Sequence, residues 1–319
     1  MDIVYLDQNK WIELARVQSG AIDSGPIAEL YSQLVSAVEL GQVLFPLSAS
    51  HVLETSKRND PISRGHLAET QARLSRGHAY RSRKGRLKIE IRNALLRLFG
   101  EAPPEASSHW MIAPSFLQAF ESMDELIALP EELHRLKLVD APECSAALYV
   151  DFMKNQDDMR RRVAHAGLAE HAVNLLARFE ERRARLTGES VDLRRRAYSV
   201  QLFMEHQDMF IRILHKLGYS FEQLSAIRSR AVKALIEDVP TLNVEAEMVA
   251  RLESQTGVLK PNDLFDIQSF YTAVPYSSRV IAEKASISRA QQAKLDVKYS
   301  VVLSRSLHDL LNFYPRSQD

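Results

Sequence analysis

Asp2-Ile3-Val4-Tyr5-Leu6-Asp7-Gln8-Asn9-Lys10-Trp11-Ile12 opens the chain as a strand, an acid and a helix. Residues 3–6 are a short apolar run with β-branched and aromatic side chains, the composition of a buried strand. Directly after it, Trp11, Ile12, Leu14 and Ala15 recur at helical spacing. Beyond that helix, residues 26–40 read as a second one stopped by Gly41, and residues 43–47 as another buried strand. Ser48 or Ser50 is placed to cap the following helix, which carries His51, Leu53, Glu54 and Lys57. Strand, helix, helix, strand, helix is the start of an α/β domain with a parallel sheet.

The same alternation returns near the other end. Residues 262–274 predict a helix with Asn262 as its cap and Leu264, Ile267, Phe270 and Tyr271 on its apolar side. Pro275-Tyr276 turns the chain, and residues 279–282 form a short strand ending at Glu283. A helix over 288–299 leads to a strand at Val301-Val302-Leu303, and 307–313 close as a short helix. The middle is rich in Ala, Leu, Arg and Glu, good helix formers, with breaks at Pro103-Pro104, Pro130, Pro142, Thr187-Gly188 and Gly218. A long helix is expected near 157–186, without a sustained heptad. The expected fold is therefore α/β. A parallel sheet flanked by helices is formed by 1–60 and 257–319, and a mostly α-helical insertion over 61–256 interrupts it.

Composition narrows the function. Forty-one basic residues balance 41 acidic ones in 319 residues, and the 45% hydrophobic content is that of a folded protein rather than a disordered one. No stretch approaches about 18 uninterrupted apolar residues, so no membrane span is expected. The N-terminus lacks the pattern of a signal peptide. Cys144 is the single cysteine, which excludes an intrachain disulfide and suits a reducing cytoplasm. Zinc spacings, Gly-rich phosphate loops and dinucleotide fingerprints are absent. Charge is nevertheless uneven. Between Arg73 and Arg97 the sequence is strongly cationic, with Glu90 as its single acid. Arg81, Arg83, Lys84 and Arg86, interleaved with His78 and Tyr80, are candidates for contact with RNA phosphates and bases. The alternative is a solvated helix face.

The acids carry the chemistry. Asp7 follows the first strand, and ligands of parallel α/β sheets gather outside the carboxyl ends of strands. Glu54 lies one or two turns into the helix after the second strand. Asp263 and Asp266, three apart, can share a helix face. Glu283 ends the 279–282 strand. Each has a plain structural alternative: Asp7 as a helix cap, Glu54 paired with Arg58, Asp263 capping alongside Asn262, and Glu283 in solvent. Clustered carboxylates repel unless a cation sits among them, and oxygen donors suit Mg²⁺ or Mn²⁺. Such an ion can lower the pKa of a water and stabilise the leaving oxygen of a phosphodiester. Asn9 stands where a haloacid-dehalogenase-like phosphatase needs a second Asp, which argues against that class.

Tyr5-Leu6-Asp7-Gln8-Asn9 with Trp11-Ile12, His51-Val52-Leu53-Glu54, Asn262-Asp263-Leu264-Phe265-Asp266, and Pro275-Tyr276 before Val280-Ile281-Ala282-Glu283-Lys284 together resemble the PIN-like ribonucleases. The resemblance covers about the first 60 and last 65 residues and leaves out the middle. It implies a small parallel sheet flanked by helices and an acidic pocket for Mg²⁺ or Mn²⁺. It also implies cleavage of RNA, in many members as toxins. The family's successive acids correspond to Asp7, Glu54, Asp263 (with Asp266 competing) and Glu283. One departure is Ser277-Ser278, where similar chains carry an Asp soon after the Pro-Tyr pair. The expectation is a metal-dependent endoribonuclease, a toxin or defence effector with RNA as substrate and an antitoxin or other protein as partner. The competing expectation is a catalytically silent PIN-like module that binds RNA or protein.

Overall fold

The structure is a computed structural model and describes residues 1–120, 142–155, 157–227 and 235–314. The break expected at Pro130 lies outside the described residues. The chain is mixed α/β, mostly helical, with a four-stranded parallel sheet. It divides into two compact units: Met1–Ser82 with Met111–Glu170 and Tyr276–Asp319, and Arg83–Trp110 with His171–Pro275.

The first unit holds the sheet. Strand β1 (Asp2–Leu6) runs into helix α1 (Gln8–Gln18), then α2 (Pro26–Glu39), β2 (Val43–Leu44), α3 (Ala49–Ser56) and α4 (Pro61–Ser75). The later strands are β3 (Ala79–Tyr80), β4 (Ile112–Ala113), β5 (Arg279–Ile281) and β6 (Val302–Ser304). The parallel order is β2-β1-β5-β6, with Asp2 opposite Val43, Leu6 opposite Ile281, and Ile281 opposite Ser304. Strands from both ends of the chain thus share one sheet, as the apolar runs predicted. Val4 and Leu6 join Trp11, Leu14, Leu30 and Leu34 in the core, all 0% exposed. The strand expected over 43–47 pairs only at Val43 and Leu44. Pro46 has no N–H to give a ladder, and pairing resumes at Leu47, which bridges Ala79 in parallel.

Ser48 caps α3. Its Oγ accepts from the His51 N–H at 3.4 Å, and His51 Nδ1 accepts from the Ser48 N–H at 3.1 Å, a reciprocal capping box. Ser48→Ala removes one half of it and is expected to cost about 1 kcal/mol, read from the midpoint of urea unfolding. An unchanged midpoint would show that the helix start does not depend on this hydroxyl.

Two boundaries fall elsewhere than the sequence suggested. The sheet-bearing unit extends past residue 60 to take in α4, β3, β4 and helix α6 (Pro142–Lys154), because α4 packs on α1 and α6 packs on α4. The helix expected over 288–299 is two, α12 (Lys284–Gln292) and α13 (Leu295–Tyr299), since Lys294 takes a left-handed φ of 54° that no α-helix accommodates.

The second unit is helical: α5 (Arg83–Leu98), the later part of α7 (Asp158–Arg185), α8 (Val191–Lys216), α9 (Phe221–Ala226), α10 (Pro240–Ser254) and α11 (Pro261–Ala273). Breaks fall at Thr187-Gly188 and Gly218 as predicted, with φ of 82° at Gly188 and 83° at Gly218. At its centre Glu90 accepts from the Thr241 N–H at 2.8 Å and the Thr241 hydroxyl at 2.7 Å, closing the start of α10. Tyr198 donates to Glu245 at 3.0 Å. No helix among the described residues is long and apolar enough to cross a membrane.

Candidate active site at the carboxyl edge of the sheet

All four strands of the parallel sheet end on the same edge. The crossover from β1 leads through α1 and α2 to β2 on one side, and the crossover from β5 leads through α12 and α13 to β6 on the other. The connections therefore diverge between β1 and β5, which opens a crevice at their carboxyl ends, the usual ligand position in an open parallel sheet. Asp7 and Glu283 stand there.

Asp7 follows β1, and its N–H donates to the Ile281 carbonyl of β5 at 2.8 Å. Its backbone is extended (φ −65°, ψ 157°), and its carboxylate accepts from the Gln8 N–H at 2.8 Å, so it caps α1. Glu283 follows β5 at the cap position of α12 but makes no side-chain cap there. Its carboxylate instead accepts a short hydrogen bond from Asn9 Nδ2. Asn9 ties the acid of β5 to the start of the helix that Asp7 caps. Both carboxylates thus sit at helix N-termini, where unpaired N–H groups favour negative charge. This field helps two acids to occupy neighbouring strand ends.

The helix that carries Glu54 is tied to α1 through Thr55. Gln8 Nε2 donates to Thr55 Oγ1 at 3.0 Å, a bond between the residue after Asp7 and the residue after Glu54. Thr55 in turn donates to Gln71 Oε1 at 3.0 Å, and the Tyr149 hydroxyl donates to the same oxygen at 2.7 Å. Gln8, Thr55, Gln71 and Tyr149 are all buried. Burial holds the Tyr149 hydroxyl above its ordinary pKa, so it stays a donor. A satisfied polar network of this kind fixes α1, α3, α4 and α6 against one another. Nothing in the spacing of these four residues announces it.

A further acid lies at the same edge beyond β6. Ser304 accepts the Ala282 N–H at its carbonyl at 3.0 Å, and its hydroxyl makes a short bond to Asp309 in the 3-10 turn Leu307–Leu310.

Asp263 and Asp266 belong to the second unit, on α11. The helix starts at Pro261, so Asn262 is inside it and is not the cap. Asp263 Oδ2 accepts from the Lys260 N–H at 2.8 Å, a local capping bond. The first unit thus holds Asp7, Glu54 and Glu283. Among the described residues no group of three or more His, Cys, Asp or Glu side chains is placed to hold a metal ion.

The Ser277-Ser278 departure falls at the opposite edge. Ser278 donates its N–H to Ile3 at 2.8 Å and accepts from the Val302 N–H at 3.0 Å, before β5 begins. Ser277 Oγ lies 2.8 Å from the Tyr80 hydroxyl, buried. An Asp at these positions would not face Asp7, so the serines do not thin the carboxyl edge.

The basic stretch needs correction at two residues. Arg86 is 2% exposed and donates to Thr272 Oγ1 at 3.1 Å, inside the second unit, where no phosphate can reach it. Arg83 pairs with Glu245 at 2.6 Å, lies 3.0 Å from His206 Nε2 and stacks over Tyr271. Burial works to lower the Arg83 pKa, but Glu245 and Tyr271 outweigh it and raise it. Burial, helped by Arg83, pushes His206 down to about 4, so its ring is neutral and accepts the Arg83 proton. Arg81 is half-buried with a 3.3 Å bond to Gln118, and Lys84 is half-buried as well. A run of cations in sequence does not report which of them a neighbouring helix covers.

No family model matches the chain, and neither the curated proteins nor the solved structures contain a significant match.

Proposed function

We propose that the chain is a metal-dependent endoribonuclease of PIN-like kind, with its site at the carboxyl edge between β1 and β5. One observation carries this reading: Asp7 and Glu283 close two adjacent parallel strands where the crossovers diverge. A parallel sheet built from both ends of the chain and flanked by helices supports the PIN-like comparison. The donors fit Mg²⁺ or Mn²⁺ in kind, because Mg²⁺ is commonly bound through one or two carboxylates together with waters and substrate phosphates. Asp7 and Glu283 would hold it. When bound, such an ion supplies a water of lowered pKa and charge compensation for the leaving oxygen. The chain's own residues orient the site: Asn9 fixes Glu283, and Gln8 with Thr55 fixes α1 against α3.

The test is cleavage of a mixed single-stranded RNA pool. The expected result is cutting with Mn²⁺ or Mg²⁺ and none after EDTA. Equal cutting in EDTA would overturn the reading.

A second reading, a silent module that binds RNA or protein, is favoured by the lack of a three-ligand group among the described residues. Calorimetric titration with Mn²⁺ separates the two. A saturable site lost in Asp7→Asn supports the enzyme, and no saturable site supports the module.

A further inference from the structure

A groove runs along α1, on the face that carries Ile12, Ala15, Arg16 and Ser19. Its cavity is about 230 Å³ and is walled by α1 on one side and by the α3–α4 corner with α4 on the other. Ile12, Ala15 and Leu67 give it an apolar floor, and Arg16, Arg58 and His66 line it as well. Ile12, Ala15, Arg16 and Ser19 follow one another at helical spacing, so one face of α1 supplies the wall. The only acid among the lining residues, Asp60, is engaged at the start of α4, accepting from the Ile62 N–H at 3.2 Å and the Ser63 N–H at 3.0 Å. Arg16 is exposed and Arg58 half-buried, its guanidinium 3.0 Å from Ser63 Oγ. The groove therefore sets two arginines against one capping carboxylate along an apolar floor.

Both walls follow candidate site residues in sequence. Asp7 caps α1, and the groove residues on that helix lie roughly 8–18 Å further along at about 1.5 Å per residue. Arg58 follows Glu54 by four positions, and its N–H bonds to the Thr55 carbonyl at 3.1 Å. A strand whose phosphate lay at Asp7 and Glu283 would pass round the first turns of α1 to reach this groove. We propose that the groove binds the single-stranded RNA that flanks the cut, with a base against Ile12 and backbone phosphates on Arg16 and Arg58. A strand of unpaired bases and phosphates matches both features, since every base has an apolar face and every linkage a negative charge. That the bound strand flanks a cut rests on the nuclease reading, while the groove's affinity for RNA is measurable without cleavage.

The experiment is fluorescence anisotropy of a short labelled single-stranded RNA with the full chain in EDTA, over a series of salt concentrations. Arg16→Ala with Arg58→Ala is expected to weaken binding about tenfold or more. It should also flatten the log–log salt slope by roughly 0.7 for each phosphate that is no longer neutralised. Arg16→Glu alone, at an exposed position that leaves the fold intact, should weaken binding in the same direction. Unchanged affinity and slope in both variants would overturn the proposal, as would a wild-type chain that binds no RNA. The cleavage assay with Mn²⁺ reads the other claim separately. RNA bound through the arginines but never cut leaves the groove standing and removes the nuclease. RNA cut by wild type, with binding indifferent to both arginines, removes the groove alone.

Discussion

Asp7→Asn is expected to lower metal-dependent RNA cleavage by about a thousandfold or more while leaving the fold intact. The structure makes this a clean test. Asp7 has a structural duty, accepting the Gln8 N–H at the start of α1. Asn performs that duty as well as Asp, so the helix start should change by less than about 1 kcal/mol. What Asn cannot supply is the negative charge. Loss of a cation that generates the nucleophile and stabilises the leaving oxygen costs on the order of several kcal/mol of barrier, with about 1.4 kcal/mol for each tenfold in rate. Glu283→Gln is the companion variant. Its amide can keep a bond to Asn9 while the charge is lost, and the double variant should be little worse than either alone, because the two carboxylates act on the same centre. The measurement is the single-turnover rate of RNA cleavage with Mn²⁺ beside a thermal melt. Full activity in Asp7→Asn would leave Asp7 as a helix cap and nothing more. Asp263→Asn belongs in the same series. Its capping bond to Lys260 is available to Asn, so a large loss there would assign it to the chemistry, and no loss would leave it with its local role.

These expectations show which parts of the molecule can be read from sequence. β1 and the acid after it were legible because a strand this apolar has one place in an α/β sheet, and the residue that leaves it must stand at the carboxyl edge. The cap of α3 was legible because Ser48 is polar, short and followed by a helical period. At α11 the signal was present in Pro261: proline favours the first helical turn, and starting there makes Asp263 the third residue, the one that reaches back to the cap. Other features depend on what packs against what. The periodicity of α4 and α6 predicts helices but not that they complete the sheet-bearing unit, because their partners are distant in sequence. Arg86 is a cation among cations until Thr272, far along the chain, covers it. Gln8, Thr55, Gln71 and Tyr149 are ordinary polar residues in four separate helices, and only the fold makes them a network.

The second large effect concerns acid. His51 is fully buried, its ring stacked on Tyr5 at 4.9 Å and edge-on to Trp11 at 6.0 Å. Nδ1 accepts from the Ser48 N–H, so the neutral ring carries its proton on Nε2, on the side of the Leu6 carbonyl. Burial pushes the imidazole down to about 3 from its ordinary value near 6.5, against a weaker opposing pull from the Leu6 carbonyl. The folded chain therefore resists a proton that the unfolded chain accepts. Above about pH 6.5 neither state binds it, and His51 contributes nothing to the pH dependence. As pH falls through the window from about 6.5 to about 3, the unfolded state gains the proton first, and stability is lost at about 1.4 kcal/mol per pH unit. The loss from this one residue should reach roughly 3 kcal/mol by pH 4.5. His51→Gln isolates it. Gln at this position preserves the Ser-x-x-Gln capping box at the start of α3 but does not titrate. The variant should be less stable than wild type at pH 7, since the ring stacking with Tyr5 and Trp11 is gone. Its further loss between pH 7 and pH 4.5 should then be smaller than that of wild type by about 3 kcal/mol, read from urea unfolding at the two pH values. Parallel losses in both proteins would show that His51 is protonated in the folded chain, and that the Tyr5–His51–Trp11 cluster admits charge or water despite its burial.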